Sequence, residues 1–342
     1  MASLPAYVPG RKIPGAIVLA SNESPFGLLP GVADVLAERT GSVSRYPDMA
    51  SAELIATIAD HHGVEPERVA VGAGSVEVCG QLAAAAVEDG AEVVFGWRAF
   101  EAYPIITAVA GGTAVKVPLD AQHVHDVDAM IAAVSERTRL VFLCNPNNPT
   151  GTAVGGADLR RLVLGIPDDV LVVIDEAYRE YVDPALVPDA FELLGDRPNV
   201  AVTRTFSKAY ALAGLRVGYC LAAPEVAAAV RKCQVPFSVS GLAQAAAVAA
   251  LGDRQEVARR AKLTTAERDR VRAALLDSGY DVPPSQANFV WLPLGDRTVG
   301  FAEACLNERI VVRPFAGEGV RVTIGTPADN DAFLAVAADQ SG

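Results

Sequence analysis

Short, almost unbroken apolar runs recur through the first two thirds of the chain. They are Arg68–Val71 (RVAV), Glu92–Phe95 (EVVF), Arg139–Leu143 (RLVFL), Val170–Ile174 (VLVVI), Asn199–Thr203 (NVAVT) and Arg216–Leu221 (RVGYCL). Runs of this length without polar alternation predict strands covered on both faces. Helical stretches such as Ser75–Val87 and Asp126–Val134 fall between most of them. The alternation predicts an α/β fold with a mainly parallel central sheet flanked by helices. After about residue 240 the pattern changes. An alanine-rich helical stretch leads into Arg254–Leu276, where charged residues alternate with Val257, Leu263, Val271 and Leu275, as on a partly exposed helix. A strand at Asn288–Leu292, a helix near Val299–Asn307, short strands near 310–313 and 320–324 and a closing helix from Pro327 complete a smaller α+β unit. The expected organisation is an arm over 1–24, a large domain over 25–240 and a small domain over 241–342.

Composition narrows the function classes. The chain has 342 residues, 51% hydrophobic and 20% charged, enough for a large buried core and against disorder. Its 29 basic and 41 acidic residues leave a net charge of −12, which repels a phosphate backbone and argues against nucleic-acid binding. An anionic small substrate needs only local positive charge and stays open. No stretch reads as a membrane span, and the N-terminal MASLPAYVPGRK lacks the apolar core of a secretory signal. Five scattered cysteines without a CxxC pair read as reduced thiols in a cytoplasmic protein, with no metal site expected. His61, His62, His123 and His125 fall in polar segments and read as solvated; Trp97 and Trp291 read as packing residues.

Four segments carry candidate chemistry. In Thr205-Phe-Ser-Lys208-Ala-Tyr-Ala-Leu-Ala-Gly-Leu-Arg216 a lysine sits among small and apolar residues between two strands. Desolvation favours a neutral amine, the nucleophilic form that can make a Schiff base with an aldehyde. An isolated Ser-Lys would read as an ordinary surface lysine. In Val172-Val-Ile-Asp175-Glu-Ala-Tyr178 an aspartate closes a buried strand. Ligands of open α/β sheets sit beyond such strand ends, where a carboxylate can keep a pyridinium protonated and a phenol can reach a ring oxygen. A helix cap is the bland alternative. Asn145-Pro-Asn-Asn148-Pro-Thr-Gly151 could be a rigid turn or could offer an amide to a ligand oxygen. Val71-Gly-Ala-Gly74-Ser75-Val76 is a glycine-rich strand-to-helix junction suited to a phosphate. It lacks the third glycine of a dinucleotide fingerprint.

Together and in this order, these segments resemble the fold type I pyridoxal-phosphate aminotransferases over nearly the whole chain. Leu19-Ala-Ser-Asn22-Glu-Ser-Pro-Phe-Gly, Arg45-Tyr46-Pro-Asp and Arg321-Val-Thr-Ile-Gly are similar to the histidinol-phosphate aminotransferase branch. Phe95-Gly-Trp-Arg-Ala-Phe100-Glu-Ala-Tyr-Pro and Pro283-Pro-Ser-Gln-Ala-Asn-Phe-Val-Trp resemble its actinobacterial phenylalanine (aromatic amino acid) aminotransferases more closely. The resemblance implies pyridoxal 5′-phosphate carried on Lys208. Asp175 would pair with the ring nitrogen, Asn148 and Tyr178 would reach the ring's phenolic oxygen, and Phe100 would stack on the ring. Ser75, Val76, Ser207 and Arg216 would hold the phosphate. It implies a homodimer in which Tyr46 reaches the neighbouring subunit's phosphate, Arg321 binding the substrate α-carboxylate, and Asn22 and Arg313 near the substrate. The expected substrates are an aromatic amino acid, phenylalanine above all, and 2-oxoglutarate. Histidinol phosphate is the alternative donor; a decarboxylase and a non-catalytic cofactor-binding protein are further rivals. The short Phe315-Ala-Gly-Glu318-Gly-Val stretch before Arg321 and its Glu318 speak against a phosphate-bearing substrate, while Arg313 keeps one possible.

Overall fold

The computed structural model describes residues 13–195 and 197–340. The first twelve residues of the expected arm lie outside that range. In chain order the elements are β1 (Ile17–Val18), α1 (Pro30–Arg39), α2 (Ala52–His62), β2 (Val69–Gly72), α3 (Ser75–Ala86), β3 (Glu92–Trp97), α4 (Ala102–Val109), β4 (Thr113–Pro118), α5 (Val127–Ala132), β5 (Thr138–Cys144), α6 (Gly156–Gly165), β6 (Leu171–Asp175), β7 (Val200–Thr205), β8 (Gly218–Ala222), α7 (Pro224–Lys232) and α8 (Gly241–Gly252). They continue with α9 (Arg254–Asp277), β9 (Phe289–Leu292), α10 (Thr298–Asn307), β10 (Ile310–Val311), β11 (Arg313–Phe315), β12 (Gly319–Thr323) and α11 (Pro327–Asp339).

Seven strands form one sheet in the order β2-β8-β7-β6-β5-β3-β4. Only β8 runs antiparallel to its neighbours; the other pairings are parallel. Every position of β2, β6, β7 and β8 is buried, which is why these strands read as unbroken apolar runs. The sequence reading has no strand at β4. That strand is a sheet edge whose only buried residue is Val117, and Lys116 interrupts its apolar pattern. Two apolar layers, one on each face, enclose the sheet. A second core, with Leu19, Val271, Phe301, Val322 and Phe333, lies under the three-stranded antiparallel sheet β11-β12-β9. Among the described residues no helix is long and apolar enough to cross a membrane.

Packing corrects the expected boundary at 240/241. Ala243, Ala246, Ala247 and Ala250 of α8 are buried in the large-sheet core. The long helix α9 puts Val257 and Ala261 into that core and Val271 and Leu275 into the smaller one, so the boundary falls within α9. Part of the expected arm belongs to the small unit, because β1 pairs with β10 and Leu19 is buried there.

Two histidines also depart from the solvated reading. His125 is buried, and its Nε2 donates to the Cys144 carbonyl at 3.0 Å. Burial pulls its pKa down to about 4. His62 meets the Tyr219 hydroxyl at 2.9 Å, and burial and Arg204 lower its pKa to about 3. Their partners arrive from distant strands, out of reach of a local reading.

Candidate active site

The C-terminal ends of β5, β6 and β7, the N-terminus of α3 and the strand pair β11–β12 surround a cavity of about 240 Å³. This is the crevice that an open α/β sheet offers a ligand. The segment carrying Lys208 leaves the end of β7 and returns as β8. Antiparallel pairing brings Thr205 opposite Gly218, and Phe206 N–H donates to the Val217 carbonyl at 3.1 Å. The loop is therefore closed at its base, with Ser207, Lys208 and Arg216 projecting from it into the cavity.

Lys208 Nζ donates to the Ser21 carbonyl at 3.0 Å. Burial lowers its pKa to about 7, and the positive charges of Arg321 and Arg216 push the same way against Glu23. A lysine held there supplies neutral amine near neutral pH. Asp175, 2% exposed, closes β6. Its Oδ1 accepts from Thr203 at 3.0 Å and its Oδ2 from Tyr103 at 2.9 Å. Burial outweighs these donors and raises the carboxyl to about 6. The helix-cap alternative fails, because the next helical element after β6 is a 3-10 turn at Arg179–Tyr181, for which Tyr178 stands at the N-cap.

At the other end of the cavity α3 begins directly after Gly74, whose φ is +85°. The first N–H groups of a helix have no intrahelical acceptor and favour an anion. A Cβ on Gly74 would come within 2.3 Å of an Arg216 guanidinium nitrogen, and one on Gly218 within 2.3 Å of the Ser75 nitrogen. Both glycines are thus required for the helix start and the guanidinium to converge. Arg216 Nη1 donates to Ser207 Oγ at 3.2 Å, and the Thr205 hydroxyl donates to the same oxygen at 2.9 Å. Backbone N–H groups, a hydroxyl and a guanidinium around one hollow form a donor set for a phosphate.

Asn148 and Tyr178 line the cavity between these ends. Arg321 Nη1 donates to Asn148 Oδ1 at 2.5 Å, and Arg321 Nη2 donates to the Ala20 carbonyl. Asn22 Nδ2 donates to the Tyr178 hydroxyl at 2.9 Å. Asn22 takes a left-handed φ of 54°, fixed by the Thr323 hydroxyl and by Asn288. It tethers the segment after β1 to β12 and to the site. Phe100, Arg313 and Val76 also line the cavity, as does Glu101, whose carboxylate pairs with Arg313 at 2.6 Å. Tyr46 does not. It is 84% exposed, outside the cavity lining, with its ring 4.7 Å from that of Phe237.

The structure adds residues that the sequence reading left without a role. Tyr103 stacks on Phe142 with centroids 4.6 Å apart, a contact contributing about 0.5–1.5 kcal/mol beyond the area buried, and this fixes its phenol on Asp175. Its one local signal is a position three residues after Phe100. Thr203 is the register partner of Asp175 on β7, a relation that only strand pairing reveals.

Comparison with known proteins accords with this geometry. The family profile described as aminotransferase class I and II matches residues 14–336. An aromatic amino acid aminotransferase of Thermobifida fusca is 57% identical over 339 residues, covering 98% of this chain and 94% of that protein. One of Rhodococcus jostii is 54% identical over 335 residues, covering 98% and 93%. The crystal structure of histidinol-phosphate aminotransferase from Sinorhizobium meliloti in complex with pyridoxal-5′-phosphate superposes with a TM-score of 0.88 at 32% identity, covering 95% of this chain and 91% of that one. The chain belongs to the class I and II aminotransferases.

Proposed function

We propose that this aminotransferase uses pyridoxal 5′-phosphate to move an amino group between an aromatic amino acid, phenylalanine above all, and 2-oxoglutarate, as a cytoplasmic homodimer. The observation that carries the reading is the pairing of Lys208 and Asp175 in one cavity, with the amine poised near neutral pH and the carboxylate held by two donors. The residues present fit the cofactor. Arg216, Ser207 and the N–H groups of Ser75 and Val76 would take its phosphate, where a side chain at Gly74 or Gly218 would force the guanidinium and the helix start apart. Asp175 would take the ring nitrogen, Asn148 and Tyr178 the ring oxygen, and Phe100 the ring face. Once bound, the cofactor supplies an aldehyde for amine exchange and a ring that accepts electrons from the substrate Cα.

The protein's own groups do the rest. Arg321, held by Asn148 and the Ala20 carbonyl, presents its guanidinium to the α-carboxylate. Lys208 Nζ, neutral in a large fraction of molecules at pH 7, takes the proton from the substrate Cα. Asp175 keeps a positive charge stable where burial alone would not.

Exposed Val43, Tyr46, Met49, Val235 and Phe237 support the dimer, since a second copy would cover them and could bring its Tyr46 to this site. Aromatic substrates are supported by the two relatives named above. Histidinol phosphate is the second reading, favoured by Arg313 in the cavity wall and by the Sinorhizobium structure. Against it, Glu101 already answers Arg313, and Glu318 answers Arg98. Specificity constants for phenylalanine and histidinol phosphate, measured side by side, test the choice. Phenylalanine should be ahead and should convert the loaded enzyme's visible band to that of the amine form. A wide preference for histidinol phosphate overturns the donor assignment, and release of carbon dioxide points to a decarboxylase instead.

A further inference from the structure

Arg313 on β11 and Arg321 on β12 are direct partners in the antiparallel register. Residues opposite one another on such a pair project to the same face, and like charges there are destabilising unless answered. Both guanidiniums line the cavity, and each is answered differently. Arg321 meets an amide oxygen and a backbone carbonyl. Arg313 meets a full negative charge, the Glu101 carboxylate, which comes from the large-sheet side just after Phe100.

We propose that Glu101 is a specificity-determining residue, an internal carboxylate occupying the guanidinium that the side-chain carboxylate of an acidic substrate would otherwise engage. The proposal rests on the transamination reading above. Two arginines side by side on one strand pair suit a dicarboxylate, with one guanidinium for each end. A neutral aromatic side chain leaves the Glu101–Arg313 pair intact. An acidic side chain must displace Glu101, whose side chain is 31% exposed and can turn toward water. Both substrate classes are therefore admitted, with a handicap on the acidic one.

A second ion pair supplies the control. Arg98 Nε donates to Glu318 at 2.8 Å, crossing between the same two units, and neither residue lines the cavity. Glu318→Gln should loosen the crossing while leaving the Glu101 carboxylate on Arg313. Glu101→Gln keeps the shape and removes the charge.

The test uses the holoenzyme in three forms: wild type, Glu101→Gln and Glu318→Gln. Dissociation constants are measured for glutarate and for 3-phenylpropionate, and half-reaction kinetics for glutamate and phenylalanine. In Glu101→Gln, glutarate should bind roughly tenfold more tightly, the weight of one charge-assisted hydrogen bond. KM for glutamate should fall with kcat little changed, and 3-phenylpropionate and phenylalanine should shift by much less than glutarate and glutamate. Glu318→Gln should track wild type throughout. Weaker glutarate binding in Glu101→Gln would mean that Glu101 only holds Arg313 in place and would overturn the proposal. Equal shifts of both ligands in both variants would reduce the pair to a contact between domains and also overturn it. A wild type inactive on phenylalanine would sink the donor assignment instead, and the glutarate measurement would still read Glu101 directly.

Discussion

The phenol of Tyr103, fully buried at the start of α4 with its ring stacked on Phe142 of β5, donates to Asp175 Oδ2 at 2.9 Å. A buried carboxylate that loses such a donor bears the desolvation of that oxygen. Tyr103→Phe should therefore destabilise the cofactor-free protein by about 1.5–3 kcal/mol at pH 8, where Asp175 is ionised. The cost should shrink below pH 6, where the carboxyl is protonated. Urea unfolding at pH 8 and pH 5 reads the difference. An equal cost at both pH values would assign the loss to packing.

Asp175 itself lowers stability at neutral pH. Its ordinary pKa of 3.8 rises to about 6 in the fold, so the native state holds a proton that the unfolded chain has already released. Stability then falls as pH climbs from about 4 to about 6 and stays lowered above that, by about 1–3 kcal/mol. Asp175→Asn should remove this slope, leaving the cofactor-free variant at least as stable as wild type at pH 8. The same variant should bind cofactor yet lose most turnover, because a neutral amide cannot sustain a pyridinium charge. Near-normal turnover on phenylalanine would strip Asp175 of its catalytic role.

How far these residues could be read in advance depended on how local their signals are. Lys208 and Asp175 stand in short, dense motifs at strand ends, and the strands β6 and β7 that aim them are unbroken apolar runs. Thr203 and Ser21 reach the same two side chains through strand register and through the segment after β1, so no local pattern announces them. The alanines of α8 look alike on every face, and only packing shows that they belong to the large core. The direction of β8 was equally hidden, since an apolar run reads the same whichever way the strand runs.

Lys208 is the expected point of covalent attachment. Borohydride reduction followed by peptide mapping should find the cofactor on Lys208, and Lys208→Ala should retain none. Because burial lowers its pKa to about 7, capture of the aldehyde by the cofactor-free enzyme should rise with pH through about 7 and level off well below the ordinary lysine value of 10.5. A reduced cofactor on another lysine would move the assignment.

Tyr46 is expected to act on the partner's site. It lies beside Phe237 on an exposed apolar surface, away from its own chain's cavity. Two inactive variants, Tyr46→Ala and Lys208→Ala, are mixed until their subunits exchange. A hybrid then holds one site with both lesions and one with neither, so activity should return toward one intact site per hybrid dimer. Demonstrated exchange with no recovery would count against a shared site.

Arg321→Ala should damage every substrate alike, because the α-carboxylate is common to all of them. Each substrate would lose a charge-assisted contact of about 1.5–3 kcal/mol, or roughly tenfold to a hundredfold in kcat/KM. Phenylalanine, glutamate and their keto acids should fall by similar factors. The structure adds a second consequence. Arg321 also bonds Asn148 and the Ala20 carbonyl, joining β12 to the turn after β5 and to the segment after β1. Removing it leaves the Asn148 amide oxygen without that donor beside the expected position of the cofactor ring. The variant should therefore show a shifted visible band and weaker cofactor retention, which Arg321→Lys should partly restore without recovering bidentate carboxylate binding. A variant that loses glutamate but keeps phenylalanine would place Arg321 at the side-chain end of the substrate, and the two arginines of the strand pair would exchange roles.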